Sequence, residues 1–209
     1  MKLEQVIHAE IVRADLTLVD ARFTSVGIGD PDGMVYLKAA FIALANAADF
    51  ELQARPSYKE YPAPAVLAKE LKQNFEFAKY LRNKVVGHLH PELIPKAIEW
   101  QPIFRRVPGR LDKPGLAFIA NLWLLETAIN TYVDHTGKHK VFGSETDLMY
   151  PPDWERFRDF LEGTVRGSLA YLNSLVEYWA PKVAAPMDAP FDLELAIKAG
   201  RTDFKFLAQ

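Results

Sequence analysis

The stretch Leu67-Ala68-Lys69-Glu70-Leu71-Lys72-Gln73-Asn74-Phe75-Glu76-Phe77-Ala78-Lys79-Tyr80-Leu81-Arg82-Asn83-Lys84-Val85-Val86-Gly87-His88 decides how this chain is read. Within it Leu67, Leu71, Phe75, Ala78, Leu81 and Val85 recur at steps of three and four, and His88 continues the row. That spacing lays one apolar stripe along an α-helix, where a strand would alternate. A helix is therefore predicted from about Ala65, with Gly87, His90 and Pro91 marking its end.

Working outward, the same periodicity recurs on both sides. From Leu3 to about Val26, one strip runs through Leu3, Ile7, Ile11, Ala14, Leu18 and Ala21, and a second through Val12, Leu16, Val19 and Phe23. Together they predict a first helix with a broad buried face. Gly27, Gly29, Asp30, Pro31, Asp32 and Gly33 form a turn cluster that ends it, and a second, alanine-rich helix is expected from about Gly33 to Gln53. Pro56, Pro62 and Pro64 make the segment from Arg55 to Pro64 a loop.

Downstream, Pro91, Pro95, Pro102, Pro108 and Pro114 predict an irregular excursion over 91–113, with a short helical turn or extended piece around Ala97 to Phe104. A fourth helix fits Pro114 to about Val133, a polar loop 134–150, and a fifth helix Pro152 to about Trp179. The expected architecture is all-α, an antiparallel bundle of four to five helices. It comprises a single domain over 1–180, then a linker and short C-terminal helix, near Phe191 to Ala199, over 181–209.

The bulk numbers bound the function. The 209 residues are 49% hydrophobic and 25% charged, in the range of a packed domain, and the net charge of -2 gives no overall pull toward a polyanion. RNA binding would need a local patch. The absence of cysteine removes disulfides, thiolate catalysis and cysteine-type zinc sites, and fits a cytoplasmic location. The N-terminus has no uninterrupted apolar run of a secretory signal, and the apolar stretch Gly115 to Ile129 is short for a bilayer, so neither export nor a membrane partner is expected.

Chemistry concentrates at the end of the third helix. On a straight helix Arg82 lies roughly 50° to one side of the stripe's centre and His88 roughly 70° to the other. One use of this placement is structural: Arg82 lays its aliphatic stem along the bundle, and His88 bonds the last carbonyls of its helix. The other is catalytic. Arg82 offers a permanent charge and a two-pronged fork for phosphate, and His88 an imidazole that exchanges protons near neutral pH. Metal-free cleavage of RNA by its own 2′-hydroxyl, giving a 2′,3′-cyclic phosphate and a 5′-hydroxyl, requires those two kinds of group.

Arg82, then the polar Asn83, then His88 after five intervening residues, late in a helix of an all-helical domain, resembles the motif of the HEPN superfamily (higher eukaryotes and prokaryotes nucleotide-binding). The wording Tyr80-Leu81-Arg82-Asn83-Lys84-Val85-Val86-Gly87-His88-Leu89 is similar to the branch associated with abortive-infection systems. The resemblance implies a metal-independent ribonuclease without a cofactor, a toxin or phage-defence component, working as a homodimer with facing motifs and held in check by an antitoxin protein. Arg82 and His88 would be catalytic and Asn83 would orient them or the substrate. The same superfamily contains non-catalytic interaction domains, which is the alternative reading.

Lys84, Arg105 and Arg106 are the candidate substrate contacts. Arg105, Arg106, Arg110 and Lys113 stand near Trp100 and Phe104, the mixture of charge and aromatic surface used by single-strand binders, and equally that of a solvated loop with docked rings. Two histidine clusters have metal-ligating residue types. His88 and His90 diverge by about 200° on a helix, and Asp134, His135 and His139 are interrupted by Gly137. Neither nominates a third or fourth ligand, so no metal is expected.

Overall fold

The computed structural model describes residues 3–25, 32–183 and 193–199. Among them the chain is helical: α1 Leu3–Ser25, α2 Gly33–Ala54, α3 Ala63–Leu81, α4 Leu93–Trp100, α5 Pro114–Asn130, α6 Pro151–Val183 and α7 Leu193–Ala199. Short 3₁₀ turns at Arg55–Lys59 and Pro102–Arg106 join some of these, and an isolated antiparallel bridge pairs Val133 with His139. The linker expected after residue 181 falls largely outside the described residues, while α7 occupies part of the expected C-terminal helix.

The bundle is a ring of four helices in which α1 packs on α2, α2 on α3, α3 on α6, and α6 back on α1. Cross-helix contacts fix every pair as antiparallel. His8 meets Phe50 while Arg22 lies over Tyr36, which runs α1 against α2. Asn74 donates to Thr164 and Tyr61 stacks on Tyr178, which runs α3 against α6. Arg13 reaches Asn173 and Arg166 reaches Asp20, which closes the ring. At the α3–α6 crossing a side chain on Gly167 would stand 3.0 Å from Leu71, so the helices approach where one has no Cβ.

The core is aromatic. Trp179, Tyr171, Phe41, Phe50, Phe77 and Phe157 are fully buried, and each such ring is worth about 1.5–3 kcal/mol in removed apolar surface. Phe77 meets Tyr132, His139, Phe142 and Phe160 edge-on or tilted, tying α3 to α6 and to the 131–150 loop. Beneath α2, the Glu51 carboxylate takes two bonds from the Arg55 guanidinium and one from the Tyr58 hydroxyl, and the buried Tyr171 hydroxyl donates to Tyr58. Burial pushes the Tyr58 phenol up to about 12.

Three expectations need correction. The first apolar strip of α1 is not buried: Leu3, Ile7, Ile11 and Leu18 are 50–69% exposed, whereas Val12, Leu16, Val19 and Phe23, with Val6 and Ala9, face the core. Position decides this, because α2 and α6 cover only one side of α1. The excursion over 91–113 is more regular than its prolines imply, since Pro95 falls in the first turn of α4, where its missing N–H costs nothing. Segment 55–64 likewise contains a 3₁₀ turn.

The stretch Gly33–Lys59 is long and apolar enough to cross a membrane, and most of it is buried inside the bundle. A central helix enclosed by its neighbours has that composition.

Candidate active site

The α-helical hydrogen-bond pattern of α3 ends at Leu81, and Arg82–Val86 form one π-helical turn. Its closing bond runs from the Gly87 N–H to the Arg82 carbonyl at 2.8 Å, spanning five residues instead of four. The next bond is wider still, from the His90 N–H to the Lys84 carbonyl at 3.0 Å. Val85 is the buried anchor of this turn, resting with Val86 beside Met34, Leu37 and Phe41 of α2 and Leu125 of α5. A β-carbon on Gly87 would meet the Arg82 carbonyl oxygen at 3.2 Å, so a side chain at this position crowds the closing bond.

Widening the helix here changes what the motif residues face. Arg82 is half-buried, and its Nε donates to the Asn83 side-chain oxygen at 3.2 Å. Asn83 thus holds one edge of the guanidinium and leaves its two terminal nitrogens without a carboxylate partner among the described residues. His88 and Asn83 are exposed, and no hydrogen bond to the His88 ring occurs among the described residues. The helix-end role falls to His90 instead, whose Nδ1 accepts the Glu92 N–H at the entry to α4 and whose carbonyl accepts the Leu93 N–H.

No hydrogen bond joins Arg82 to His88 among the described residues. The helix gives out between them, so the ideal-helix separation of about 120° no longer fixes their directions. The void beneath the turn holds only about 10 Å³, and Asn83 and His88 lie on the exposed surface.

The other candidate residues are less gathered. Lys84 lies 5.9 Å above the Tyr80 ring, whose hydroxyl donates to Thr131 at the end of α5. Arg105 and Arg106 project from the 3₁₀ turn Pro102–Arg106, anchored by Phe104 edge-on against Trp123 of α5. Both arginines are exposed, and among the described residues neither forms an ion pair nor bonds to the Arg82–His88 segment. Trp100 carries Lys96 over its ring.

His139 turns inward, away from His135. Its Nε2 donates to the Ile129 carbonyl at 3.0 Å, and Nδ1 accepts the N–H groups of Val141 and Phe142 at 3.1 and 2.9 Å. That assignment fixes the neutral tautomer, and desolvation holds the imidazole below its ordinary value of 6.5. Asp134 caps its own turn through Thr136 and Lys138. Among the described residues no group of three or more histidines and acids is placed to hold a metal.

Sequence reading missed a buried carboxylate. Glu126 accepts from Gln101 Nε2 at 3.0 Å and from the Leu148 N–H at 2.8 Å, fastening the loop before α6, and desolvation raises its pKa. The signal was a lone acid in the apolar stretch 115–129.

Comparison of the chain with known protein families, with curated proteins and with solved structures returns no match.

Proposed function

We propose that the chain is a HEPN-type, metal-independent endoribonuclease in which Arg82 and His88 carry the chemistry and Asn83 positions the arginine. The observation that carries this reading is the π turn over Arg82–Val86, which ends α3 where, among the described residues, the two terminal nitrogens of the Arg82 guanidinium and the exposed His88 imidazole have no hydrogen-bond partner. Single π turns are rare and frequently accompany functional sites, because widening the helix forfeits regular packing. A histidine serving only its own helix would be bonded to it.

In this mechanism the imidazole of His88 takes the ribose 2′-hydroxyl proton or delivers one to the departing 5′-oxygen, and solvent water carries the other transfer. The free nitrogens of Arg82 bind the non-bridging oxygens as charge builds on phosphorus. The 2′-oxygen bonds to phosphorus as the 5′-oxygen leaves, giving a 2′,3′-cyclic phosphate and a 5′-hydroxyl. An open, shallow site suits a polymer better than a metabolite, which wants an enclosing cavity of roughly 300 Å³ or more. The half-buried Lys84 and the exposed Arg105 and Arg106 supply positive charge for the phosphate backbone. Toxin or phage-defence use, a homodimer with facing motifs, an antitoxin partner and a cytoplasmic setting belong to the same proposal.

The test is incubation of the purified protein with mixed RNA in EDTA. Wild type is expected to release fragments with cyclic-phosphate ends, and His88→Ala to cleave about 10²–10⁴-fold more slowly with an unchanged circular dichroism spectrum. Equal rates for the two proteins would sink the mechanism. Absence of cleavage on any RNA class would instead favour a non-catalytic interaction domain.

A further inference from the structure

The six residues Leu3, Ile7, Ile11, Ala14, Leu18 and Ala21 all face solvent on α1. On an ideal helix they fall within about 40° of one line. The opposite side of α1 is fully used, by Val12, Leu16 and Val19 in the core. A surface helix ordinarily carries polar residues on its outer face. Here that face is apolar for five turns, and its four large side chains expose roughly 400 Å² per molecule, the scale of patch that marks an interface.

We infer that this face pairs with α1 of a second copy of the chain, antiparallel, about a two-fold axis passing near Val12 and Arg13. In that register Ile7 meets Leu18 of the partner subunit, and Ile11 meets Ala14 of the partner subunit, so a large side chain faces a small one at the crossing. The polar borders agree with it. Glu4 and Arg22 flank the stripe on the same side, at opposite ends, and the two-fold brings each Glu4 beside Arg22 of the partner subunit. Glu10, on the other border, meets Thr17 of the partner subunit, so no like charges are opposed. The acids Glu4, Glu10 and Asp15 beside the stripe disfavour an anionic membrane as its occupant.

Counting both copies, the stripe and its borders reach roughly 1,000–1,200 Å², the lower bound for a specific interface. The inference stands without the ribonuclease reading: α2 packs against both α1 and the Arg82–Val86 turn, and the α1 stripe faces away from it.

The experiment is light-scattering mass in solution, comparing wild type with Ile11→Glu and Leu18→Glu, both outward-facing substitutions checked for native helicity. The expected result is a halving of mass in each variant. The absence of cysteine makes single-cysteine mapping unambiguous. With a cross-linker spanning about 10 Å, Ala14→Cys should link to itself, since the two positions are offset by about 4.5 Å along helices 8–10 Å apart. Leu3→Cys, about 28 Å from its counterpart, should not. A monomeric wild type at high concentration, a mass unchanged by both glutamates, or linkage from both cysteines would each overturn the proposal.

Discussion

Arg82 has two jobs that separate on substitution. In the proposed mechanism its charge attracts phosphate, while its planar fork, bonded at Nε to Asn83, aims the remaining nitrogens. Arg82→Lys keeps the first and loses the second. Cleavage is expected to fall about 10–100-fold, the worth of one charge-assisted bond, with little change in melting temperature because the site is partly exposed. A lysine variant as active as wild type in single-turnover cleavage would show that only charge matters. Residue identity made this pair visible in sequence. Their surroundings were not visible, because whether His88 caps its helix or faces solvent depends on which hydrogen bonds the backbone chooses.

At the scale of elements, the stripe of α3 is buried along Leu71, Phe75, Ala78, Leu81 and Val85 as its spacing required. The π turn that ends it has no comparable signature, since one extra residue per turn leaves the apolar spacing almost intact. Gly87 is the tractable point. Gly87→Ala should press on the Arg82 carbonyl, which must shift by a few tenths of an ångström and lengthen the closing bond. Cleavage should drop further than stability accounts for, because the carbonyl and the guanidinium belong to one residue. Thermal melts alongside rates measure both, and an alanine variant with unaltered rate would uncouple the turn from the chemistry. On α1 the periodicity was correct and its reading was not: two apolar faces satisfy a helix with two neighbours equally well, and spacing does not say which neighbour lies within the same chain.

Over the whole molecule, the all-helical class followed from periodicity, while the order in which α1, α2, α3 and α6 pack did not, nor did the clasp at the 131–150 loop, because its anchor is an inward-turned histidine in a polar segment. That clasp responds to acid. Burial lowers the His139 imidazole in the folded chain, so as pH falls the unfolded chain takes up the proton first. Its contribution is complete above pH 6.5 and is lost as pH falls through the depressed folded value. Glu126, raised by burial, runs in the opposite sense: its contribution is complete below about 4.5 and declines as pH rises through the raised value. The His139 contribution should lower the melting temperature as pH falls below 6.5, so His139→Gln should lose less melting temperature than wild type between pH 7 and 5. A slope unchanged by the substitution would place the acid sensitivity elsewhere.

The turn at Arg82–Val86 also bears on how such a site can arise. A π turn is what a helix becomes when one residue is inserted and the flanking packing is kept, with the surplus pushed outward as a bulge. Val85 holds the inner register against α2, so the surplus emerges on the solvent side, where Arg82 and Asn83 stand. Deleting one residue from 82–86 would remove the surplus, turn the end of α3 by about 100° and carry His88 to another side of the bundle. A single codon's length thus separates a plain bundle helix from one that presents this pair of groups.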